Sequence, residues 1–379
     1  MNFYFAWAEI DLTAIARNVR SLKNFIGSDC RLMAVVKADG YGHGMGRVAK
    51  TALENGASAL AVARIEEGIG LREMGVAAPI LVLGYTPARL CRELIGHDLI
   101  QTVWSEDDAR AFSREAAAAG RTLAVHFKVD TGMGRLGKSL VSGETAEAVR
   151  EMRAVNDLPG ISLQGVYTHF SSADEADKTG AAGQLALFSR LTEALPAAGL
   201  SSLLRHAANS AAIIDLPSSH LDMVRAGIAM YGLYPSAAVS RRVSLEPAMA
   251  LKTRVIQLKP VAAGTAVSYG ATYITPRATV LAIVPIGYAE GYNRLLSSRG
   301  HMLVRGRRAP VVGRVCMDLT VLDVGGIEGV RVEDEVVVFG RQGEEQITVD
   351  EIAAALNTIN YEVVTAVTDR VPRVYSEKK

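Results

Sequence analysis

Cysteine is scarce in this 379-residue chain: Cys30, Cys91 and Cys316 are odd in number and far apart. Such spacing offers neither a disulfide framework nor a zinc pattern, and the expectation is a protein of a reducing compartment, the cytoplasm. Net charge is also missing. The 41 basic residues nearly balance the 40 acidic ones. That leaves no electrostatic footprint for nucleic acid, which needs a basic excess or patch. No apolar run approaches the ~18 residues of a membrane span. The opening MNFYFAWAEIDL is apolar, but no basic residues precede a long hydrophobic stretch, so it reads poorly as a signal peptide. There is no low-complexity segment and no obvious flexible linker.

What the chain does have is material for a large core, with 49% hydrophobic residues. Up to about residue 240, short apolar runs alternate with longer helical stretches. The runs are Leu32–Val36, Ala59–Val62, Ile80–Leu83, Leu99–Val103, Leu123–Val129, Leu163–Thr168, Leu203–Ala207 and Met223–Met230. Between them, Leu12, Ile15, Val19, Leu22 and Ile26 recur at helical spacing, and Ser105 stands where a helix N-cap belongs. Eight strands alternating with helices predict a (β/α)8 TIM barrel over 1–240. Arg205 and His206 interrupt the seventh run. After about residue 240 the runs become β-branched and are separated by glycine-rich turns, which predicts a mostly β domain over 241–379. Within it, Thr348 and Glu351 have capping-box spacing ahead of one helix.

In such barrels the chemistry sits at the C-terminal ends of the strands. The polar residues of this chain collect there: Lys37 after run one, Tyr85 after run three, Lys128 and Arg135 around the end of run five, His169 after run six. Asn209 and Ser210 follow run seven, and Arg225, Gly227 and Ile228 belong to run eight and its exit. The loops after strands seven and eight often bind phosphate in this architecture. Here they read HAANSAA and RAGIAMYG, with a serine hydroxyl and glycine-flanked N–H groups as donors. A lysine following an apolar strand is often a snorkelling surface residue. Lys37, however, is followed by ADGYGHG, a tight polar loop, where a desolvated lysine can lower its pKa and form a Schiff base.

VVKADGYGHG resembles the cofactor-lysine motif of alanine racemases. KVDTGMGRLG, YTHFSSAD, HAANSAA, VRAGIAMYG, VSYGATY, VPIGYAEGY, GRVCMD and INYEVV match the same family in order, over essentially the whole chain. The resemblance implies a pyridoxal 5'-phosphate (PLP) barrel joined to a β domain, in a head-to-tail homodimer with active sites at the interface. It implies that Lys37 holds PLP covalently. Tyr41, Asn209, Ser210, Tyr361 and the backbone at Gly227 and Ile228 would surround its phosphate end, and Arg225 would face the pyridine nitrogen. His169 would stand between Arg225 and the catalytic Tyr269. Arg135 and the Met317 N–H would receive the substrate carboxylate, with Tyr269 and Met317 coming from the other subunit. Asp174, Tyr288, Arg314 and Ile359 match positions lining the substrate corridor. Lysine at the position of Lys128 is commonly carbamylated in this family; the alternative is an ordinary amine paired with an acid such as Asp130. No metal is implied.

The activity so implied is interconversion of L- and D-alanine, with D-alanine supplied to peptidoglycan. Racemisation needs groups on opposite faces of the substrate, and the family assigns Lys37 to the D-enantiomer and Tyr269 to the L-enantiomer. Lysine and tyrosine ordinarily titrate near pH ~10, so burial and cationic neighbours must shift them. A serine or broad-specificity racemase needs only modest pocket changes. A PLP-dependent decarboxylase would carry a His-x-Gly-Ser segment and a glycine triplet, neither of which occupies the loops here. A non-enzymatic PLP carrier has no use for a β domain bearing SYGATY, and a structural barrel would hold no cofactor at all.

Overall fold

The eight apolar runs fold as eight parallel strands: Arg31–Val35, Ala59–Val62, Ile80–Val82, Leu99–Val103, Leu123–Asp130, Ile161–Tyr167, Leu204–His206 and Met223–Ala226, here barrel strands one to eight. In the computed structural model, which describes residues 4–141 and 143–376, strand one pairs with both two and eight, and four pairs with five, so the sheet closes into a barrel. A parallel barrel covered by helices has no wet face, which is why these strands read as continuous apolar runs rather than alternating ones. Strands two and three are buried at every residue. The predicted helix is Leu12–Ile26, and all five of its marker residues are buried. Ser105 caps the helix Glu106–Ala118, its hydroxyl accepting the Asp108 N–H at 3.0 Å.

Run eight departs from expectation. Its strand stops at Ala226, and Ile228–Tyr231 form a single 3-10 turn. Gly227, at φ −105° and ψ −110°, breaks the extended backbone there, so hydrophobicity continues where the strand does not. Run seven is indeed short, and His206 lies wholly buried at its end. Strand six begins earlier than its run, at Ile161, and it bulges against strand five at Gln164, between the pairs Val125–Leu163 and His126–Gly165. A side chain on Gly165 would stand 2.8 Å from the His126 ring, so the glycine makes room for a buried imidazole.

The chain groups into two compact units. One comprises residues 14–40 and 45–247, the barrel; the other comprises 1–13, 41–44 and 248–379. In the second, the strand Ala6–Asp11 runs antiparallel to Met249–Arg254 and parallel to Arg373–Ser376. The same sheet continues through Glu335–Gln342 and His301–Val304 to Arg307–Pro310, with Glu345–Ile347 paired to Glu335–Gln342. A three-stranded sheet of Gln257–Val261, Thr279–Val284 and Thr320–Asp323 accompanies it, together with the hairpin Ala266–Val267 and Tyr273–Ile274. The helix Val349–Leu356 is capped by Thr348, whose hydroxyl accepts the Glu351 N–H. Its mixed, mostly antiparallel pairing explains the β-branched texture of the sequence there.

Candidate active site

The barrel unit gathers its unusual residues at one end. Lys37, Lys128, Arg135, His169, Asn209, Ser210, Arg225, Gly227 and Ile228 all stand at or just beyond C-terminal strand ends. A cavity of about 810 Å³ in this unit opens at the other end, among Asp29, Arg31, His126, Arg205 and Asp222. No residue of the predicted set lines it.

Arg225 organises the centre. It is 3% exposed, and its guanidinium donates to the carbonyls of Thr168 (2.7 Å) and Ala207 (3.0 Å). It also meets His169 Nδ1 and His206 Nδ1, each at 3.0 Å. Burial pulls the guanidinium down to about 10, which still leaves it protonated at neutral pH. Arginine has no acceptor, so both histidines must accept through Nδ1 and carry their proton on Nε2. His206 Nε2 then donates to His126 Nδ1, 2.9 Å away. Burial first, and the Arg225 charge second, hold His206 well below the ordinary range and His126 at about 4, so this buried chain of imidazoles is neutral. Tyr167 stacks on His206 at 4.7 Å and shares a hydrogen bond with Thr102. Arg225 is thus fixed from behind as a donor with nothing to give but N–H.

Around it the charge is one-sided. Burial lowers the Lys37 amine, Arg135 lowers it further, and Glu67 opposes both. Lys128, 6% exposed, is pushed down to about 8 by burial and by Arg135 and Arg225, against Asp130. The half-buried His169 is lowered well below its usual value by burial and then by Arg225, Arg135, Lys128 and Lys37. Asp130 offers little relief. Its carboxylate accepts the N–H groups of Gly132 (2.8 Å), Met133 (2.7 Å) and Arg135 (3.1 Å), which bind its charge to the loop. Four cationic side chains that feel one another form a site suited to anions.

Backbone detail distinguishes the loop after Lys37 and the loops after strands seven and eight. After Lys37, the residues Ala38, Asp39, Gly40 and Tyr41 all have left-handed backbone, with φ of 53°, 51°, 60° and 52°. Such a run costs ~1–2 kcal/mol for each residue with a side chain. At the other loops, Ser210 Oγ accepts the N–H groups of Gly227 (2.9 Å) and Ala229 (3.3 Å), and Asn209 caps Ser210–Asp215 through the Ala212 N–H. The serine, the start of the 3-10 turn and the cationic cluster fit a dianionic phosphate ester. Lys37, whose amine burial lowers, and the donor Arg225 fit a carbonyl and an unprotonated ring nitrogen. The residues present therefore suit PLP. Asp174 lies on the loop after strand six, its carbonyl accepting the Ser236 hydroxyl.

The remaining predicted residues belong to the second unit. Tyr41 is buried there, its ring 6.2 Å from that of Tyr361. Tyr269 opens a turn held by Ser268, whose hydroxyl donates to the Arg314 carbonyl at 2.6 Å. The Tyr288 and Ala289 N–H groups donate to the carbonyls of Cys316 (3.2 Å) and Met317 (3.0 Å). These bonds bring Tyr269, Tyr288, Arg314 and Met317 onto neighbouring loops. Tyr269 is 70% and Met317 52% exposed, and Tyr288 and Ile359 are exposed too. Cys316 is half-buried beside Ser268 and has no histidine among its hydrogen-bond partners. Among the described residues, no group of His, Cys, Asp or Glu could hold a metal, and no helix is long and apolar enough to cross a membrane.

Sequence reading missed His126, Tyr167, Thr102 and Glu67, and took His206 for an interruption. A histidine within LAVHFKVD was the available signal, since a buried imidazole in an apolar strand requires a partner.

Comparison with known proteins agrees with this chemistry. The family models of the alanine racemase N-terminal and C-terminal domains match residues 10–235 and 248–375. An alanine racemase from Desulfosudis oleivorans is 63% identical over 380 residues, covering 99% of this chain and 97% of that protein. One from Desulforamulus reducens is 48% identical, covering 97% and 98%. Among solved structures, an alanine racemase from Clostridium difficile 630 superposes with a TM-score of 0.94 at 40% identity, covering 100% of this chain and 97% of that one. A Bacillus anthracis alanine racemase with bound L-Ala-P gives 0.93 at 39% identity, covering 100% and 96%. With both domain models matched and the shared identity running end to end, the chain belongs to the alanine racemase family of isomerases.

Proposed function

We propose that this chain interconverts L- and D-alanine with PLP held on Lys37, using Lys37 and Tyr269 as the two proton-transfer groups. The observation that carries the reading is the buried Arg225, a permanent donor set among three other cationic side chains and neutral imidazoles. Held there, PLP would supply an electron sink that makes the substrate's α-proton removable. The protein does the rest. Ser210, Tyr41, Tyr361 and the backbone at Gly227 and Ile228 bind the phosphate, with Asn209 ordering that loop. Arg225, which has only N–H groups to offer, would face the ring nitrogen of PLP without giving it a proton, and the electron sink so supplied would be a weak one. Arg135 and the Met317 N–H orient the substrate carboxylate. Lys37 Nζ removes or returns the proton on the face of D-alanine, and Tyr269 Oη does so on the face of L-alanine, with His169 Nε2 aligning the phenol. Asp174, Tyr288, Arg314 and Ile359 line the corridor.

The barrel at 1–240 supplies Lys37, and the domain at 241–379 supplies Tyr269 to the partner's site in a homodimer. The exposure of Tyr269 and Met317 supports that arrangement. Lys128 is carbamylated in this reading. A buried amine lowered to about 8 presents the neutral form that attacks CO2, releasing one proton and leaving an anion to orient Arg135. An intact mass that follows CO2 tests this, and a bare amine at saturating CO2 refutes it. A cytoplasmic location and delivery of D-alanine to peptidoglycan rest on the family.

Chiral product analysis over a panel of L-amino acids tests the function. Alanine should be racemised fastest, with serine trailing. Loss of the α-carboxyl group instead of inversion at the α-carbon would favour the decarboxylase, and inert substrates would sink the enzyme reading.

A further inference from the structure

Glu67 appears in none of the motifs that mark the site. It stands on the first turn of the helix Ile65–Glu73, directly after barrel strand two. One of its oxygens does what an acid on a first helical turn ordinarily does: Oε2 accepts the N–H groups of Ala63 (2.7 Å) and Arg64 (3.1 Å). The other oxygen leaves the helix. Oε1 accepts the Ala38 N–H at 2.6 Å, the peptide immediately after Lys37.

That peptide opens the left-handed turn of Ala38, Asp39 and Gly40. A run of this kind persists only where surrounding bonds over-determine it. Gly40 N–H donates to the Val36 carbonyl at 2.8 Å, and Asp39 Oδ1 accepts the Met45 N–H at 2.8 Å. Glu67 secures the lysine end, and it ties that end to a second barrel strand. We infer that Glu67 is a positioning residue for Lys37, clamping the Ala38 peptide so that the left-handed turn holds the lysine amine on line with one face of the substrate. The same carboxylate acts on the amine against Arg135, favouring its ammonium form. The inference rests on Lys37 being the cofactor lysine and the D-face base.

Holoenzymes carrying Glu67→Gln and Glu67→Asp separate clamp from charge. Glutamine keeps the length but loses the charge, and its one oxygen can serve Ala38 or the Ala63–Arg64 pair, not both. Aspartate keeps the charge but withdraws it by one methylene. Two readouts are taken beside the rate: deuterium isotope effects with α-deuterated D- and L-alanine, and the pH titration of the visible band of lysine-bound cofactor. In both variants turnover should fall roughly tenfold, with the isotope effect rising for D-alanine and falling for L-alanine. In Glu67→Gln alone, the titration should move to lower pH. Symmetric slowing with an unmoved titration, or wild-type behaviour throughout, overturns the inference. So does failure of both variants to fold, because a positioning residue leaves the barrel intact. A wild-type holoenzyme without lysine-bound cofactor, or a Lys37→Ala variant that retains it, overturns the assignment of Lys37 instead.

Discussion

At the scale of single residues, the site is a problem in charge. Arg225 holds its place because two carbonyls and two imidazoles receive its N–H groups, and those imidazoles can receive them only while neutral. His126 and His206 are buried with depressed proton affinity, about 4 for His126, whereas an unfolded histidine titrates near ~6.5. Below that pH the unfolded chain binds more protons. The stability contributed by neutral burial is therefore complete above pH ~6.5 and is lost as the pH falls towards 4, by up to ~1.4 kcal/mol per pH unit for each histidine. Urea unfolding across that window should show the decline, and His126→Gln should flatten it by roughly one proton. An unchanged slope would mean that the imidazoles are already charged in the fold. The identity of the donor is open to a chemical test as well. Arg225→Glu, by favouring a protonated ring nitrogen, should raise pyruvate formed per racemisation on the order of tenfold. Unchanged side product would count against a weak electron sink.

At the scale of elements, the lysine loop is where local preference and required geometry conflict most. Three residues with side chains, Ala38, Asp39 and Tyr41, adopt a conformation that chirality disfavours, and glycines complete the bend. Gly42, at φ +79°, leaves no space either: a Cβ there would lie 2.4 Å from the Val364 carbonyl oxygen. Gly42→Ala should cost about 2–4 kcal/mol, combining left-handed strain with a backbone clash. Thermal unfolding measures the loss. A shift within experimental error would show that the loop gives way without consequence. The loops after strands seven and eight resolve a similar conflict differently. The apolar run after Met223 continues through Met230, but Gly227 ends the strand, and its own N–H and that of Ala229 turn towards Ser210.

At the scale of the whole molecule, the prediction concerns which chain supplies which base. If Lys37 and Tyr269 of one site come from different subunits, Lys37→Ala and Tyr269→Phe homodimers should each be nearly inactive. Co-refolding them in equal amounts makes half the dimers mixed, and each mixed dimer regains one intact site of two. Activity should then return to about a quarter of wild type. Mixtures as inactive as their components would place both bases on one chain.

Much of this molecule was legible from composition and pattern. Buried parallel strands must be apolar throughout, so eight apolar runs announced the barrel. A barrel concentrates chemistry at one rim, so the polar residues after those runs announced Lys37, Lys128, His169, Ser210 and Arg225. The change to β-branched runs marked the β-rich region for the same reason of pattern. Other features had no local signature. The strand Ala6–Asp11 joins a sheet whose partners lie more than 200 residues away, and pairing of that kind leaves no trace in a short window. His206 looked like a break in a strand because a neutral buried imidazole is acceptable only when a distant arginine and a second histidine bond it. Glu67 looked like an ordinary acid at a helix start, because one of its oxygens is just that. Its other oxygen acquires meaning only when strand two pairs beside strand one. Periodicity and motif, which depend on neighbours in the chain, were determined by the sequence alone. Which buried polar group bonds which, and therefore which residues are charged, was decided only by the tertiary structure, because proton affinity depends on neighbours in space.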